Sequence, residues 1–357
     1  MALNGIMTSS MMETGCIYDP NEPKVLNSFL ESVTHEDVEN WKKEIGEFII
    51  EWLDSKKGSI GQRTSGSTGN PKIIDLPKSW MRASARATAE ALELKSGMQA
   101  LLSIPARYIG GRMMIVRAME IGMTLFAQEP SPCPNPENHI FDFCAMVPSQ
   151  VATLLKEKKS LSDFGTILIG GAPIPPQLEN DIEDSEAVCY STFGMSETSS
   201  HVALRRIGDS NDIYVCLPGV LASNWNDGQL ALDIEHFDGQ RFETKDVVEI
   251  LDERRFRWLG RSDNVINSGG VKLYPEALER KYASSIPCPF FFHGIDDAEL
   301  GSRLILCLEN EDKEVESQVR GISFDRFERP QEILSLERFM RTGNGKIKRT
   351  ESIQANA

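Results

Sequence analysis

The chain has 357 residues, of which 40% are apolar and 25% charged, so it can bury one large core and is expected to divide into a larger and a smaller domain. Its formal net charge of -15 argues against a general nucleic-acid surface or an anionic membrane, because polyanions repel an acidic protein. Seven scattered cysteines without a CxxC pair, and the absence of a long apolar run, predict reduced thiols in a cytoplasmic protein without a membrane span.

The amino-terminal part is predicted to contain two helices on either side of a short strand. Apolar residues recur at helical spacing over 38–52, and Thr34 is the predicted N-cap of this helix. Ile73 and Ile74 are predicted to be extended. Pro77 then opens a second helix, rich in alanine and leucine, that is expected to end near Leu94.

The middle of the chain, from residue 100 to 194, alternates apolar strands with helices, which predicts a largely parallel sheet covered on both faces. From about Asp212 to Leu259 the pattern changes to short strands with Gly and Asp turns, which favours antiparallel structure. The remaining residues mix helix and strand. The sequence therefore predicts a large α/β domain with a short antiparallel β region, followed by a small α+β domain.

A Ser/Thr/Gly-rich loop, RTSGSTGNPK, occupies residues 63–72. Its glycines allow backbone N–H groups to converge on an anion, its hydroxyls add donors, and Lys72 supplies local positive charge in an acidic protein. These features predict a phosphate ligand. A Walker loop is excluded because no Lys-Ser/Thr pair follows a glycine at the required interval. From these residues alone, a flexible hairpin turn stays open as the alternative.

A second segment, STFGMSET at residues 191–198, directly follows an apolar strand. Ligands gather at the carboxyl ends of strands in an α/β sheet, so this position favours a binding site. Glu197 is a candidate ligand for Mg2+, which takes carboxylate oxygens together with phosphates, and Phe193 offers a flat face to a purine. A strand-end turn with a solvated glutamate is the alternative for this segment alone.

Two glycine-containing segments lie in the carboxyl-terminal third. GRSDNVINSGGVKLYPEALE, residues 260–279, combines Arg261 and Asp263 with paired glycines and a helix start at Pro275, and it also fits an interdomain linker. RTGNGKIKRT, residues 341–350, presents Lys346 on a glycine-rich turn. Taken alone, this last segment also fits a basic, solvated tail.

Together, the four segments, in this order and with these spacings, resemble the acyl-adenylate-forming superfamily of acyl-CoA synthetases, luciferases and the adenylation domains of peptide synthetases. In that superfamily the first loop wraps the phosphates of ATP, which implies here Thr64, Ser65, Gly66, Ser67, Thr68, Gly69 and Lys72. The implied adenine and ribose contacts are Gly170, Gly171, Ala172, Pro173, Phe193, Gly194, Asp246 and Arg261. The remaining implied roles are the Mg2+ ligand Glu197, the hinge Asp263, the CoA path at Gly269, Gly270 and Lys272, and the catalytic lysine Lys346.

The resemblance also implies the reaction and the domain division. A carboxylate attacks the α-phosphate of ATP to give acyl-AMP and pyrophosphate, and the thiol of CoA then displaces AMP. We expect Lys346 and Mg2+ to stabilise the charge of the first step, with no nucleophilic side chain required. The implied domains are an AMP-binding domain at 1–261, with a shortened first subdomain, and a mobile lid at 262–357.

Within the superfamily, the chain most closely resembles the o-succinylbenzoate-CoA ligases of menaquinone synthesis. This resemblance is carried by SIPARYIGGRMMIVRAM, MVPSQVATLL, LIGGAPIPPQL and SETSSHVALR. A tyrosine stands where those ligases commonly have a histidine. The candidate acyl-pocket residues are Tyr108, Arg117, Ser200 and His201, although His201 also fits a packed histidine at a strand edge. Arg117, Arg107 and Arg112 are candidate partners for the unreacted carboxylate, and we expect at least two of the three to be solvated surface arginines instead.

Other functions remain compatible with the sequence. One is an aryl- or acyl-CoA ligase for a different acid, and another is an adenylating enzyme that loads a carrier protein. A nucleotide-binding regulatory protein without catalysis is disfavoured by the presence of Glu197, Asp246, Arg261 and Lys346. The expected partners are a small carboxylic acid, ATP and CoA, and homo-oligomerisation stays open.

Overall fold

The computed structural model describes residues 15–63, 72–137, 139–209, 211–310, 312–341 and 347–355. The chain forms two compact units. The first comprises residues up to Ile174, Leu178–Leu221 and Asp233–Gln240, and the second comprises Pro175–Gln177, Ala222–Leu232 and the residues from Arg241 onward.

The first unit is an α/β structure. Its described strands are β1 Cys16–Tyr18, β2 Ser59–Arg63, β3 Ile73–Pro77, β4 Gln99–Leu102, β5 Thr124–Ala127, β6 Phe143–Met146, β7 Thr166–Ile169, β8 Cys189–Met195, β9 Ser200–Arg206 and β10 Tyr214–Cys216. Its described helices are α1 Pro23–Ser32, α2 Asn40–Leu53, α3 Lys78–Leu92, α4 Ile109–Ile121, α5 Pro148–Lys156 and α6 Pro176–Asp184, which begins in the short segment assigned to the second unit.

The sheet of the first unit has the strand order β1-β5-β4-β6-β7-β8-β9-β10. The five strands from β5 to β8 in this order pair in parallel, whereas β1, β9 and β10 pair antiparallel with their neighbours. Strands β2 and β3 form a separate hairpin. The predicted, largely parallel sheet is therefore confirmed.

The sheet is buried on both faces, as its near-continuous apolar strands require. Cys144 and Ile167 face a core that includes Leu154 of α5 and Ile182 of α6. The alternate strand residues, such as Leu168, are also buried, and α4 contacts β4 and β6. The strand ends are thus carried on a rigid, two-sided core.

The prediction of Thr34 as a helix N-cap was wrong. Helix α2 begins at Asn40, with Glu39 in the capping position. The Thr34 hydroxyl instead donates to the Glu31 carbonyl at 2.7 Å, which places it in the turn after α1, a helix that the sequence pattern did not reveal. The helix after Pro77 is confirmed, because α3 begins at the next residue.

The second unit contains the antiparallel region and an α+β region. Its strands are β11 Val220–Trp225, β12 Gln229–Ile234, β13 Gln240–Asp252, β14 Arg255–Arg261, β15 Ile266–Ser268, β16 Val271–Leu273, β17 Phe290–Asp297, β18 Gly301–Glu309 and β19 Glu332–Leu336, and the chain passes between the units within β11, β12 and β13. Its helices are α7 Pro275–Tyr282, α8 Lys313–Arg320 and α9 Arg349–Gln354. Strands β11 to β14 are adjacent in sequence order, and β16-β15-β18-β17 form another sheet to which β19 adds in parallel.

The sheet formed by β15 to β19 is buried on both faces. Phe292 and Leu306 pack against Leu278 of α7, and Phe291 and Phe339 lie in a second apolar cluster. The predicted small α+β structure is confirmed. The boundary predicted between residues 261 and 262 marks the start of the segment that is expected to rotate. It stays a prediction. Among the described residues, no helix has the length and apolar character needed to cross a membrane.

Candidate active site

The hairpin of β8 and β9 carries five of the predicted site residues. Phe193 and Gly194 lie on β8, Glu197 lies in the turn, and Ser200 and His201 begin β9. The strand register shifts after Phe193, and Gly194 then lies opposite His201. A Cβ atom at Gly194 would lie 2.3 Å from the Ser200 carbonyl oxygen, so only glycine permits this close approach.

The turn that carries Glu197 is held by its buried neighbour. The Thr198 hydroxyl donates toward the Met195 and Ser200 carbonyls at 3.0 and 2.8 Å, and it accepts from the Met195 backbone N–H at 3.1 Å. Glu197 is exposed, and within the described residues its carboxylate makes no hydrogen bond or ion pair. A fixed turn thus presents a solvated carboxylate at the carboxyl end of β8.

The segment 170–173 follows β7, the parallel neighbour of β8. The Thr192 hydroxyl donates to the Ile169 carbonyl at 3.1 Å, and a Cβ at Gly170 would lie 2.3 Å from that hydroxyl oxygen. Phe193 contacts the edge of Tyr214, with ring centroids 5.7 Å apart. The structure therefore brings residues 170–173 and Phe193 to the same edge of the sheet, where ligands gather in α/β folds.

Arg117, Ser200, His201 and Thr88 form a hydrogen-bonded group, named here the basic cluster. Arg117 projects from α4 and is only 2% exposed. Its Nη2 lies 2.9 Å from the Ser200 hydroxyl and 3.4 Å from His201 Nδ1. His201 Nε2 lies 3.1 Å from the Thr88 hydroxyl on α3. Two helices and one strand thus place a cation and three polar side chains together in the interior.

The hydrogen bonds define the tautomer of His201. Arginine can only donate, so Nδ1 accepts and Nε2 carries the proton that is given to Thr88. The Thr88 hydroxyl in turn donates to the Ser84 carbonyl at 2.9 Å. Burial and the neighbouring Arg117 hold the pKa of His201 well below its ordinary value of 6.5, so the imidazole is neutral at neutral pH.

Arg117 lacks a carboxylate partner within the described residues. Burial lowers its pKa to about 9, and no acidic group contributes to that shift, so the side chain is still protonated at neutral pH. Within the described residues, the Arg117 Nε atom has no hydrogen-bond partner. The buried side-chain hydroxyls of Ser84 and Ser199 have none there either. Since buried cations are normally paired, this arrangement can receive an anionic group from a ligand.

The two neighbouring arginines have other roles. Arg107 is exposed and pairs with Glu44 at 3.0 Å. Arg112 is half-buried over the ring of Phe48, and its guanidinium donates to the backbone carbonyls of Gly61 and Ala106. The expectation that at least two of the three arginines are solvated at the surface was wrong. Arg107 is exposed, but Arg112 is part of the packing and Arg117 is buried.

Tyr108 occupies the N-cap position of α4 and is 52% exposed, with the Arg107 guanidinium 4.9 Å from its ring centre. The backbone of this turn is compact, because a Cβ at Gly111 would lie 2.4 Å from the Pro105 carbonyl oxygen. The Tyr108 ring is thus presented at the start of the helix that carries Arg117. Its role toward a substrate stays a prediction.

In the second unit, Asp246 on β13 lies directly opposite Arg261 on β14. Arg261 Nη1 lies 3.7 Å from Asp246 Oδ2, while the Trp258 indole donates to Asp246 Oδ1 at 2.9 Å. Burial alone would raise the pKa of Asp263, but hydrogen bonds from Lys245 and Arg261 lower it overall. The predicted ribose pair and the predicted hinge residue are therefore linked through Arg261.

The paired glycines form a tight turn between β15 and β16. Ser268 pairs with Val271, and both Gly269 and Gly270 have positive φ, of 57° and 83°. A two-residue turn with two positive φ angles is the favoured hairpin connection and explains why glycine occupies both positions. Lys272 follows on β16 and lies 3.4 Å from Asp227.

The phosphate loop and the catalytic lysine fall largely outside the described residues. These positions are Thr64, Ser65, Gly66, Ser67, Thr68, Gly69 and Lys346. Arg63 of β2 pairs with Ile73 of β3, so the loop connects the two strands of a hairpin, and Lys72 at its end is exposed. On the other side, Arg341 and Ile347 form a β-bridge around the segment that contains the lysine.

Sequence reasoning missed two contributors to these sites. Thr88 lies in the predicted alanine-rich helix, where nothing distinguished it from a packing residue. Trp258 lies two positions before the Gly-Arg of residues 260–261, and that proximity was the available signal. Both act through contacts across long separations in sequence, of 113 residues from Thr88 to His201 and 12 from Trp258 to Asp246.

Comparison with known proteins identifies the family. A family described as AMP-binding enzyme matches residues 21–222. The chain belongs to the AMP-binding enzyme family. An acyl-CoA synthetase (AMP-forming)/AMP-acid ligase II-like protein from Dyadobacter fermentans is 33% identical, with a TM-score of 0.61 over 91% of this chain and 97% of that one.

Two other similar proteins have names that specify the acid. A 2-succinylbenzoate--CoA ligase from Escherichia coli is 26% identical over 80% of this chain, and the match spans 66% of the relative's own length. The structure of o-succinylbenzoate coenzyme A synthetase from Bacillus subtilis in complex with ATP and magnesium has a TM-score of 0.68, with 20% identity, 82% of this chain and 69% of that one covered. At this identity, the second likeness shows a shared fold.

Proposed function

We propose that this protein is an ATP-dependent acid-thiol ligase that converts o-succinylbenzoate to o-succinylbenzoyl-CoA. In the first step a substrate carboxylate displaces pyrophosphate from ATP and forms acyl-AMP. In the second step the CoA thiol displaces AMP from the acyl group. Membership of the AMP-binding enzyme family and the similarity to 2-succinylbenzoate--CoA ligases support this proposal.

The observation that carries the choice of acid is the basic cluster. A dicarboxylate has one group to activate and a second that needs a partner. The buried Arg117, which has no carboxylate partner among the described residues, fits the second group, and Ser200 adds a hydroxyl donor. A neutral His201 keeps the charge of the cluster at one unit, which matches one carboxylate.

Glu197 fits a magnesium ligand. Mg2+ commonly binds one or two carboxylates and completes its coordination with substrate phosphates and water, so a dedicated protein cage is unnecessary. The exposed carboxylate of Glu197, without a hydrogen bond or ion pair within the described residues, meets this requirement. The ion would neutralise phosphate charge, while the rigid turn around Thr198 fixes the position of the carboxylate.

The nucleotide is proposed to bind at the edge where β7 and β8 end. Residues 170–173 and Phe193 provide a backbone surface and an aromatic ring for adenine, with Gly194 allowing the close approach of the strands. Asp246 and Arg261 are proposed to bind ribose, and residues 64–69 with Lys72 to bind the phosphates. Lys346 is proposed to stabilise the charge that develops at the α-phosphate.

Positioning and electrostatics account for the chemistry without a covalent enzyme intermediate. A cysteine side chain acts as a nucleophile when it is a thiolate, and not when it is a thiol. None of the seven cysteines, all of which lie in the described residues, forms a disulfide, and burial raises the pKa of Cys189 and of Cys307 to about 12, so these two are thiols at neutral pH. Free thiols also agree with the proposed cytoplasmic location.

CoA is the proposed acceptor, with its pantetheine arm passing the turn of Gly269, Gly270 and Lys272. We further propose that the segment 262–357 rotates about Asp263 between the two half-reactions. A carrier protein with the same pantetheine thiol, or a different aryl or alkyl acid, would change the substrate but not the sequence of steps.

The test is ATP-dependent pyrophosphate release over a panel of aryl and alkyl acids, with and without CoA. Release that is specific for o-succinylbenzoate, together with CoA thioester formation, is the expected result. A strong preference for a fatty acid would overturn the choice of acid. Activation of the acid without transfer to free CoA would overturn the choice of acceptor.

A further inference from the structure

The Trp258 side chain makes a directed contact with a predicted nucleotide-binding carboxylate. Its indole N–H donates to Asp246 Oδ1 at 2.9 Å, and both residues are half-buried. The N–H group is the only donor of an indole and carries no charge. The contact therefore orients the carboxylate without neutralising it, unlike an ion pair.

A β-bulge brings Trp258 to this position. Asp246 pairs with Arg261, but the register then shifts so that Val248 pairs with Trp258, and Leu259 has no partner on β13. Directly opposite residues lie on the same face of a sheet, as do alternate residues along one strand. In a regular strand Leu259 would share the face of Asp246 and Arg261, and the extra residue puts Trp258 there instead.

The indole is itself held by helix α7. The guanidinium carbon of Arg280 lies 5.1 Å from the centre of the indole ring, a cation–π distance. Arg280 Nη2 also donates to the Trp258 backbone carbonyl. One arginine therefore holds both the ring and the backbone of the residue that contacts Asp246.

A fixed carboxylate plane matters for binding a vicinal diol. The terminal torsion of an aspartate side chain is broad, so an unsupported carboxylate rotates freely. Two neighbouring hydroxyls can donate to one carboxylate together only in a limited range of that torsion. A hydrogen bond to Oδ1 selects that range before the ligand binds, which lowers the ordering cost of binding.

We propose that Trp258 is a positioning and specificity-determining residue, which orients Asp246 to receive the two ribose hydroxyls of ATP, with Arg280 fixing the indole. The inference rests on the proposed function, because that function assigns ribose to Asp246. It adds a selection for ribonucleotides that depends on residues outside the nucleotide-binding segments of the sequence.

The test compares ATP with 2′,3′-dideoxy-ATP in the wild-type protein and in Trp258→Phe. Phenylalanine keeps an aromatic ring but removes the donor. For each protein, kcat/KM for pyrophosphate release is measured with both nucleotides, and AMP and 2′,3′-dideoxy-AMP binding is measured by calorimetry. We expect the preference for the ribonucleotide to fall about tenfold in Trp258→Phe, the effect of losing one hydrogen bond to a charged group.

Two further variants separate positioning from general damage. Trp80→Phe is the matched control, because the Trp80 indole also donates to a carboxylate, that of Asp238 at 3.3 Å, and this variant should keep the wild-type preference. Arg280→Met removes the cation over the indole and should weaken the preference, whereas Arg280→Lys should partly restore it. Arg280→Met carries the test if Trp258→Phe does not fold.

The outcomes distinguish this inference from the proposed function. A wild-type protein that binds no adenine nucleotide would contradict the proposed function itself. A wild-type protein that prefers ATP, with the same preference in Trp258→Phe and Arg280→Met, would contradict the positioning role. Equal losses for both nucleotides in these variants would also overturn it, since a merely structural residue has that effect.

Discussion

Arg117 is a buried cation whose hydrogen-bonding partners are neutral. A guanidinium in the interior loses hydration, and the hydroxyl of Ser200 and the neutral ring of His201 replace only part of it. This explains the lowered pKa and gives a physical reason for carboxylate binding, because a bound anion restores the missing charge partner. The specificity proposed for the enzyme therefore depends mainly on this one residue.

Replacement of Arg117 by Met should lower kcat/KM for o-succinylbenzoate by about a hundredfold, since a charge-assisted pair to the second carboxylate is lost. The KM for ATP should stay unchanged. Activity with an aryl acid that lacks the second carboxylate should change little. Steady-state pyrophosphate assays measure all three, with the exposed Arg107→Met as control. Equal losses for both acids would contradict the proposed role.

The carboxyl of Glu279 on α7 makes the free energy of unfolding depend on pH. Burial raises the pKa of its carboxyl to about 7 from an ordinary value of 4.5, although Arg349 partly lowers it. Between these values the folded protein keeps a proton that the unfolded chain has released, so the contribution of Glu279 to stability decreases as the pH rises through this range.

In urea unfolding at pH 5, 6 and 7, the free energy of unfolding should change with pH by a more negative slope in the wild type than in Glu279→Gln, which lacks this titrating group. The difference between the two slopes should not exceed about 1.4 kcal/mol per pH unit. Glu253→Gln, at an exposed glutamate, serves as control. Parallel pH profiles for wild type and Glu279→Gln would show that this carboxyl has an ordinary pKa in the folded protein.

At the scale of single elements, the ends of the lysine-bearing segment are fixed. Arg341 makes two hydrogen bonds to the Glu309 carboxylate, at 2.7 and 2.6 Å. Arg349 donates to Glu279 and to the Phe292 carbonyl, both at 3.0 Å. Residues on both sides of 342–346 are therefore held on the sheet of the second unit, which suits the role proposed for Lys346.

Lys346→Ala should abolish pyrophosphate release, because the first half-reaction loses its main fixed cation. Thioester formation from supplied acyl-adenylate and CoA should largely survive. The two half-reactions can be assayed separately, and Lys348→Ala provides a control two residues away. Similar losses in both half-reactions would exclude a role confined to adenylation.

Gly270→Ala tests the hairpin between β15 and β16. Among the described residues other than its chain neighbours, no atom lies within 4 Å of a Cβ built at this position, so the expected cost comes from a φ of 83°, which L-residues rarely adopt. We expect a loss of about 1 kcal/mol in the free energy of unfolding, measured in urea. Gly58→Ala is a control with similarly open space and no positive φ. Equal stability of the two variants would argue against backbone strain as the reason for this glycine.

At the scale of the whole molecule, the proposed function predicts a large stabilisation by nucleotide. A ligand that binds only the folded state stabilises it by about 2.7 kcal/mol at 100 times its Kd. Mg-ATP should therefore raise the midpoint of thermal unfolding, and Mg-GTP at the same concentration should do so less. Glu197→Gln should reduce the part that depends on magnesium. No difference between the two nucleotides would contradict an adenine-specific site.

The sequence predicted the architecture because the signals for it are local. Apolar strands alternating with helices require a covered parallel sheet, and the Gly and Asp turns after Asp212 require antiparallel strands. The site was only partly predictable in the same way. Phe193 and residues 170–173 end adjacent strands, so their meeting follows from topology. Thr34 was misassigned because the end of α1 at Ser32 and the start of α2 at Asn40 lie close together in the sequence.

The sequence by itself predicted which segments carry phosphate-binding, adenine-binding and catalytic chemistry, because their order and spacing together resemble those of the acyl-adenylate-forming superfamily. Only the tertiary structure decided which of three neighbouring arginines is buried, that His201 is neutral, and that a bulge turns Trp258 toward Asp246. The physical reason is that burial, tautomer and orientation depend on partners contributed by distant parts of the chain, and no local pattern encodes those partners.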